Sequence, residues 1–208
     1  MAPLKLYGSI ISRASRVIWM AEELGIDYDL ETVNVHKGNQ NDPVFRALNP
    51  NAKVPAIKDG DTVHWESLAI NLYLARKYGG PLAPQSVEDE GRAIQWSMWA
   101  LTEAEDHCVI LIQKVMGIYD HDAVLVANAT DTLTQPLVVI EGLLSGQDYL
   151  LGKEFIVADL NVASVLGALP RAKFDLGPCP KVDNWLKNCN ARPAACRINE
   201  MRAAAMKS

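Results

Sequence analysis

Residues 49–78 read NPNAKVPAIKDGDTVHWESLAINLYLARKY and carry the strongest structural signal in the chain. A short apolar run at 54–57 and a strand-like run at 62–65 flank an Asp59-Gly60 turn, which predicts a β-hairpin. Pro55 interrupts the first run, although proline cannot donate to a sheet ladder. We interpret this position as a sheet edge at which backbone groups recognise a peptide-like ligand.

The sequence on either side of the hairpin alternates between strand and helix patterns. Gly25 and Asn49-Pro50 stop the two earlier helices, because glycine ends helices readily and the residue before proline avoids the helical region. The predicted order is β-α-β-α-β-β-α, with strands around residues 5–7, 28–35, 54–57 and 62–65 and helices at 12–24, 42–48 and from Ser67. This order predicts a mixed sheet with helices packed on it.

Glycines and prolines at 79–84 interrupt every periodic pattern, and strand signals nearly vanish beyond them. Acidic residues at 88–90 favour a helix start that continues to about residue 116. Further helices are predicted at 121–144, 157–169, 181–188 and 193–205. We therefore predict an α/β domain at 1–79, a linker at 80–87 and an all-helical domain at 88–208.

Composition excludes several classes of protein. The 208 residues have a net charge of −5 and no Lys/Arg-rich run, which argues against a nucleic-acid partner. No signal-peptide pattern and no unbroken apolar run of membrane length is present, so no membrane partner is expected. Four cysteines without a CxxC pair predict thiols in the reducing cytoplasm. The scattered histidines indicate no metal cluster: His36, His64, His107 and His121.

A small α/β domain with a proline-interrupted strand facing a helix start suggests the thioredoxin superfamily. The chain more specifically resembles the cytosolic glutathione S-transferase superfamily over almost its whole length. The matching segments are SRASRVIWMAEELGIDYDL from Ser12, the 49–78 stretch, and the weaker FIVADLNVASVLG and WLKNCNARPA. A serine at the first helix is similar to the serine-type classes, theta, zeta and related bacterial enzymes.

This resemblance implies a thioredoxin-like glutathione-binding domain followed by an all-helical domain. It implies a cytoplasmic detoxification enzyme that activates glutathione, its co-substrate, as a thiolate for attack on a hydrophobic electrophile. It also implies a homodimer.

The resemblance assigns the catalytic role to Ser12, whose hydroxyl would donate to the sulfur of glutathione. Ser9 and Ser15 remain alternatives for that contact. Arg13 and Arg16 lie nearby and could supply positive potential, or they could form salt bridges with glutamates at 22, 23 or 66.

Glutathione itself is expected to bind the 49–78 stretch. The resemblance implies that Val54 and Pro55, with a cis peptide bond between them, hold the cysteinyl backbone of the tripeptide. Glu66 and Ser67 would receive the γ-glutamyl end, and Lys53 would contact the glycine carboxylate.

In this family the electrophile site forms between the domains. The candidates in this chain are largely apolar, which suits a hydrophobic acceptor: Ile10, Ile11, Trp96, Trp99, Leu101, Cys108 and Ile112.

Two other functions remain open at this point. The same thiolate could serve an isomerase, a dehalogenase or a peroxidase. The two-domain fold could also be a non-catalytic interaction module, although such modules often lose the serine or the Glu-Ser pair that this chain retains.

Overall fold

A four-stranded mixed sheet with strand order β2-β1-β3-β4 forms the centre of the N-terminal half, in a computed structural model that describes residues 3–207. Strand β1 is parallel to β2 and antiparallel to β3, and β3 is antiparallel to β4. The strands are β1 Leu4–Gly8, β2 Tyr28–Thr32, β3 Ala56–Asp59 and β4 Thr62–Trp65. Residues Leu6 and Ile57 are paired in this register and are fully buried on one face of these central strands, while Ala56 on the other face belongs to a smaller buried cluster with Val33 and Phe45.

Ten helices accompany the sheet within the described residues. They are α1 Ala14–Leu24, α2 Pro43–Leu48, α3 Ser67–Tyr78, α4 Val87–Trp99, α5 Asp106–Val115, α6 Ala123–Leu143, α7 Val157–Leu166, α8 Ala168–Arg171, α9 Pro180–Asn190 and α10 Pro193–Ala205. The predicted order β-α-β-α-β-β-α is confirmed, as is the change to an all-helical second half.

Several element boundaries differ from the prediction: β3 begins at Ala56 and not at residue 54, and the helix predicted at 157–169 divides into α7 and α8. Helix α1 starts at Ala14, because the preceding residues form a turn. Strand β2 ends at Thr32, and two short 3-10 segments, Val35–Lys37 and Asn39–Asn41, follow it. The long helix predicted at 88–116 is interrupted by a π-helical segment, Ala100–Glu105, between α4 and α5.

The chain divides into two compact units, one formed by residues up to 83 together with those from 192 onward, and one by residues 84–191. The sequence placed residues 192–208 in the helical domain instead. Helix α10 packs on α1, where Arg192 forms a bidentate ion pair with Glu23 (2.8 and 2.7 Å) and Arg197 pairs with Glu22 at 2.8 Å. Hydrophobic periodicity does not report such charge pairing between distant segments.

A fully buried carboxylate, Asp159, joins three parts of the helical unit. It accepts hydrogen bonds from the backbone of Leu150 (2.8 Å) and Ile156 (3.2 Å) and from the indole Nε1 of Trp185 (3.0 Å). Burial raises the pKa of Asp159 to about 6, while these three donors oppose the rise. The carboxylate thereby holds the start of α7, the preceding loop and α9 together.

Helix α6 exposes much of its apolar surface. Val124, Val138 and Val139 are all at least half exposed in the protomer. By length and composition alone, α6 is also long and apolar enough to cross a membrane. Its most apolar window has a mean hydropathy of 1.3, and 28% of that window is buried. The sequence does not show α6 as one unbroken apolar run, because polar residues such as Asp131 interrupt it. They lower its mean hydropathy only a little.

Another buried carboxylate, Asp59 at the end of β3, fastens the hairpin to α3. It accepts hydrogen bonds from the Tyr73 and Tyr78 hydroxyls (3.1 and 3.2 Å) and pairs with Lys77 at 2.6 Å. Burial acts to raise the pKa of Asp59, but Lys77 and the two hydroxyls outweigh it and hold the pKa below its ordinary value.

Replacement of Asp59 by asparagine should therefore lower the free energy of unfolding by about 1–3 kcal/mol at neutral pH. Because the folded-state pKa is depressed, the carboxylate contributes stability above about pH 4, and this contribution is lost as the pH falls through the folded-state pKa. Urea unfolding between pH 3 and 7 should show the difference between wild type and Asp59→Asn narrowing at acidic pH.

The matched control is Asp120→Asn. Asp120 pairs with Lys114 at the same distance, 2.6 Å, but its side chain is 98% exposed, so its removal should change stability little. A gap between wild type and Asp59→Asn that is independent of pH would contradict the role assigned to the carboxylate.

Candidate functional site

The hydroxyl oxygen of Ser12 is held at the centre of the turn between β1 and α1. It accepts hydrogen bonds from the backbone N–H groups of Ser9 (3.3 Å) and Ala14 (3.1 Å) and donates its proton to the Ser9 carbonyl at 2.7 Å. Two backbone donors thus fix the position of the oxygen, while its proton can turn toward another acceptor. Ser12 as a whole is half-buried.

The two serine alternatives differ in their surroundings. Ser15 is buried, and its hydroxyl donates to the Ser12 carbonyl at 2.8 Å while it accepts from the Arg202 guanidinium. Ser9 presents its carbonyl and N–H to Ser12. This arrangement favours Ser12 over Ser15 for contact with a ligand.

Gly8 brings three segments of the first unit into contact. A Cβ added to Gly8 would lie 2.5 Å from the Ala14 Cβ, 3.5 Å from the Val54 Cβ and 3.6 Å from the Ser12 hydroxyl oxygen. The glycine φ of +151° is also one that L-residues rarely adopt. The absence of a side chain therefore allows the end of β1 to approach the start of α1, while the segment before β3 lies at ordinary contact distance.

The Val54–Pro55 peptide bond is cis, as the resemblance implied. Val54 packs against a cluster that contains Phe45 and Ala56, and its backbone lies beyond the last β1–β3 pair, Tyr7 and Ala56. Strand β3 lies between β1 and β4, so the Val54–Pro55 backbone extends past the end of a central strand and not along the sheet edge that the sequence predicted.

The turn before this segment is built on the buried side chain of Asn49. Its amide nitrogen donates to the Lys53 carbonyl at 2.7 Å, and its oxygen accepts from the Asn51 N–H at 3.0 Å. Asn49 consequently positions Lys53, whose own side chain is exposed. The sequence analysis read Asn49 only as the end of a helix and missed this second role.

Ser67 is buried at the first turn of α3 and follows Glu66, which has an unusual backbone conformation with a φ of +72°. Non-glycine residues in such conformations cost about 1–3 kcal/mol and concentrate at functional sites. The buried Arg16 guanidinium donates to the Ser67 hydroxyl at 3.4 Å. A helix N-terminus and a cation thus meet at one hydroxyl, which is the electrostatic setting that a carboxylate prefers.

The acceptor candidates divide between the two units. Ile10 is half-buried and Ile11 is 55% exposed, both in the turn that carries Ser12. In the helical unit the Trp96 and Trp99 rings meet edge to face at 5.2 Å. The remaining candidates lie on the π-helical segment and α5, where Leu101 and Ile112 are half-buried and Cys108 is buried.

Comparison with known proteins identifies the family. The model of the glutathione S-transferase N-terminal domain matches residues 2–76, and that of the C-terminal domain matches residues 100–193. Glutathione S-transferase 3 of Zea mays is 36% identical over 93% of this chain and 92% of its own length. The chain belongs to the glutathione S-transferase family.

Other members show the same relationship. Glutathione S-transferase D7 of Drosophila melanogaster is 31% identical over 90% of this chain and 84% of its own length. The crystal structure of glutathione transferase URE2P8 from Phanerochaete chrysosporium, with oxidized glutathione, is 26% identical with a TM-score of 0.86, covering 99% of this chain and 97% of that one. The predicted fold and the predicted glutathione transferase enzyme are confirmed, whereas the narrower theta or zeta class stays a prediction.

Replacement of Gly8 by alanine should lower the free energy of unfolding by about 2–4 kcal/mol, because the new methyl group overlaps Ala14 and the backbone becomes strained. Gly25→Ala is the matched control. Gly25 also has a positive φ, +63°, but nothing lies within 4 Å of an added Cβ, so this change should cost only about 1–2 kcal/mol. Equal midpoints of urea unfolding for the two variants would show that the close approach to Ala14 adds nothing to the loss of stability caused by a side chain at Gly8.

Proposed function

We propose that this glutathione transferase binds glutathione on the Val54–Pro55 segment and the start of α3 and activates its thiol through Ser12. The single observation that carries the proposal is the geometry of the Ser12 hydroxyl, whose oxygen is fixed by two backbone N–H groups while its proton can be redirected. The family membership of the chain supports the conjugation of glutathione as the reaction.

The catalytic task is to raise the fraction of thiolate at neutral pH. A free thiol has a pKa of about 8.5, so only a few per cent is ionised at pH 7. In the proposed complex the Ser12 hydroxyl rotates away from the Ser9 carbonyl and donates its hydrogen bond to the sulfur. The N–H groups of Ser9 and Ala14 keep the oxygen in place. Because those groups already donate to the oxygen, they polarise the hydroxyl and strengthen it as a donor.

The electrostatics of the α1 N-terminus act in the same direction. The partial positive charge of the helix start at Ala14 favours an anion placed at Ser12. Stabilisation of the thiolate over the thiol lowers its pKa, and each unit corresponds to about 1.4 kcal/mol.

The rest of glutathione is assigned to the groups around it. Val54 would pair its backbone with the cysteinyl backbone of the ligand, in the manner of strand addition. Ser67, at a helix start and beside Arg16, would bind the γ-glutamyl carboxylate, and Glu66 would accept from the ammonium group. Lys53 would contact the glycine carboxylate.

The second substrate is proposed to be a hydrophobic electrophile, because the candidate side chains for it are largely apolar. The residues proposed for it are Ile10, Ile11, Trp96, Trp99, Cys108 and Ile112. The serine-type assignment belongs to this proposal, since it depends on Ser12.

A homodimer in the cytoplasm completes the proposal. The half-exposed valines of α6 support an interface in the helical unit, because an apolar surface of this kind is stabilised when a second copy covers it. The four cysteines occur as thiols, which accords with a reducing compartment.

Replacement of Ser12 by alanine should raise the pKa of bound glutathione by about one unit and lower kcat about tenfold at pH 7, with little change in glutathione affinity. Titration of the ultraviolet thiolate absorption measures the pKa, and calorimetry measures the affinity. Ser145→Ala, which removes an exposed hydroxyl on the helical unit, is the control. An unshifted thiol pKa in Ser12→Ala would remove Ser12 from the mechanism.

Replacement of Ser67 by alanine should instead weaken glutathione binding about tenfold, because a buried hydroxyl that faces the ligand carboxylate is lost. The control is Ser86→Ala, since Ser86 caps α4 through the Asp89 N–H at 3.1 Å. Both variants lose a serine at a helix start, but only Ser67→Ala should lower the affinity measured by calorimetry. Equal affinities would reduce Ser67 to a structural residue.

A further inference from the structure

The three arginines that α10 directs at the α1 region make two kinds of contact. Arg192 and Arg197 form ion pairs with Glu23 and Glu22 on α1 itself. Arg202 reaches the turn before α1 instead, where its Nη2 donates to the Ser15 hydroxyl and its Nε donates to the Ile10 carbonyl at 3.4 Å.

Ser15 passes this contact on to Ser12. Ser15 is 1% exposed, and its hydroxyl donates its single proton to the Ser12 carbonyl at 2.8 Å. It can therefore only accept from the guanidinium, so the hydrogen bonds run in one direction, from Arg202 through Ser15 to Ser12.

The forked shape of the guanidinium matters for the turn. Two of its three nitrogens contact the Ile10 carbonyl and the Ser15 hydroxyl, one on each side of Ser12 in the sequence. A donor with a positive charge also makes stronger hydrogen bonds than a neutral one and polarises the hydroxyl that it contacts. Arg202 thus braces both sides of the turn on which the Ser12 oxygen depends.

We propose that Arg202 is a positioning residue for thiolate formation, which acts through Ser15 on the Ser12 turn. This inference rests on the proposed role of Ser12. A shift of about 1 Å in a reacting group is enough to reduce a rate strongly, so a brace on this turn has a direct effect on the strength of the Ser12–sulfur hydrogen bond.

The test measures the pKa of bound glutathione by ultraviolet titration, together with kcat and KM for glutathione, in the full-length protein. Arg202→Gln should raise the thiol pKa by about 0.5–1 unit and lower kcat about three- to tenfold, with KM nearly unchanged. Arg197→Gln is the matched control. It removes the same charge from the same helix together with a contact with α1, but it leaves the turn intact. The pKa of bound glutathione should therefore stay at its wild-type value, and kcat should stay within about twofold of wild type. Equal effects of the two variants would overturn the proposal.

Two further variants separate positioning from charge and from general stability. Arg202→Lys keeps the positive charge but lacks the fork, so its thiol pKa should remain raised, and a wild-type pKa would overturn positioning by the fork. Ser15→Ala removes the hydroxyl between Arg202 and the Ser12 carbonyl but leaves the contact with the Ile10 carbonyl, so it should reproduce part of the Arg202→Gln shift. The double variant Ser15→Ala/Arg202→Gln should shift the pKa by less than the sum of the two single shifts, whereas fully additive shifts would show that the two residues act independently.

Ser12→Ala, measured in parallel, separates the role of Arg202 from the role of Ser12. If Ser12→Ala raises the thiol pKa but neither Arg202→Gln nor Ser15→Ala does, only the role of Arg202 is wrong. If Ser12→Ala leaves the pKa unchanged, both the role of Ser12 and that of Arg202 are wrong. Circular dichroism and thermal unfolding of each variant identify any effect that comes from misfolding.

Discussion

The close approach at Gly8 is the constraint on which the candidate site depends. Only a residue without a Cβ lets β1 end so close to Ala14, and Val54 and the Ser12 hydroxyl lie at ordinary contact distance from the same point. Two segments that are about forty residues apart in the sequence, the Ser12 turn and the Val54–Pro55 segment, are thereby brought to one end of the sheet. The start of α1 and the backbone before β3 therefore lie close together at one end of β1.

Electrostatic contacts add a second level of order to this packing. Arg16 connects α1 to the start of α3 through Ser67, and Arg202 connects α10 to the Ser12 turn through Ser15. In both cases a guanidinium donates to a serine hydroxyl, and this hydrogen bond helps to fix the orientation of the hydroxyl.

The order of strands and helices could be predicted because it depends on local patterns: the Asp59-Gly60 turn, the Pro50 and Gly25 stops, and the periodicity between them. The ligand-facing segments were recognised by resemblance. What could not be predicted depends on partners far apart in sequence. Arg202 and Ser15 are 187 residues apart, and Gly8 shows its importance only when Ala14 and Val54 are placed beside it. The π-helical segment was missed because one additional residue per turn leaves little trace in an apolar pattern.

The arrangement of α10 makes the first unit discontinuous, with the entire helical unit inserted between residues 83 and 192. A fragment that stops after α3 would leave Glu22 and Glu23 without Arg197 and Arg192, and the Ser12 turn without its brace. A chimera with another family member therefore has to exchange α10 together with the sheet rather than with the helices that precede it. The unit that should be exchanged is therefore defined by contacts in the structure. It consists of two separate stretches of sequence, up to residue 83 and from residue 192 onward.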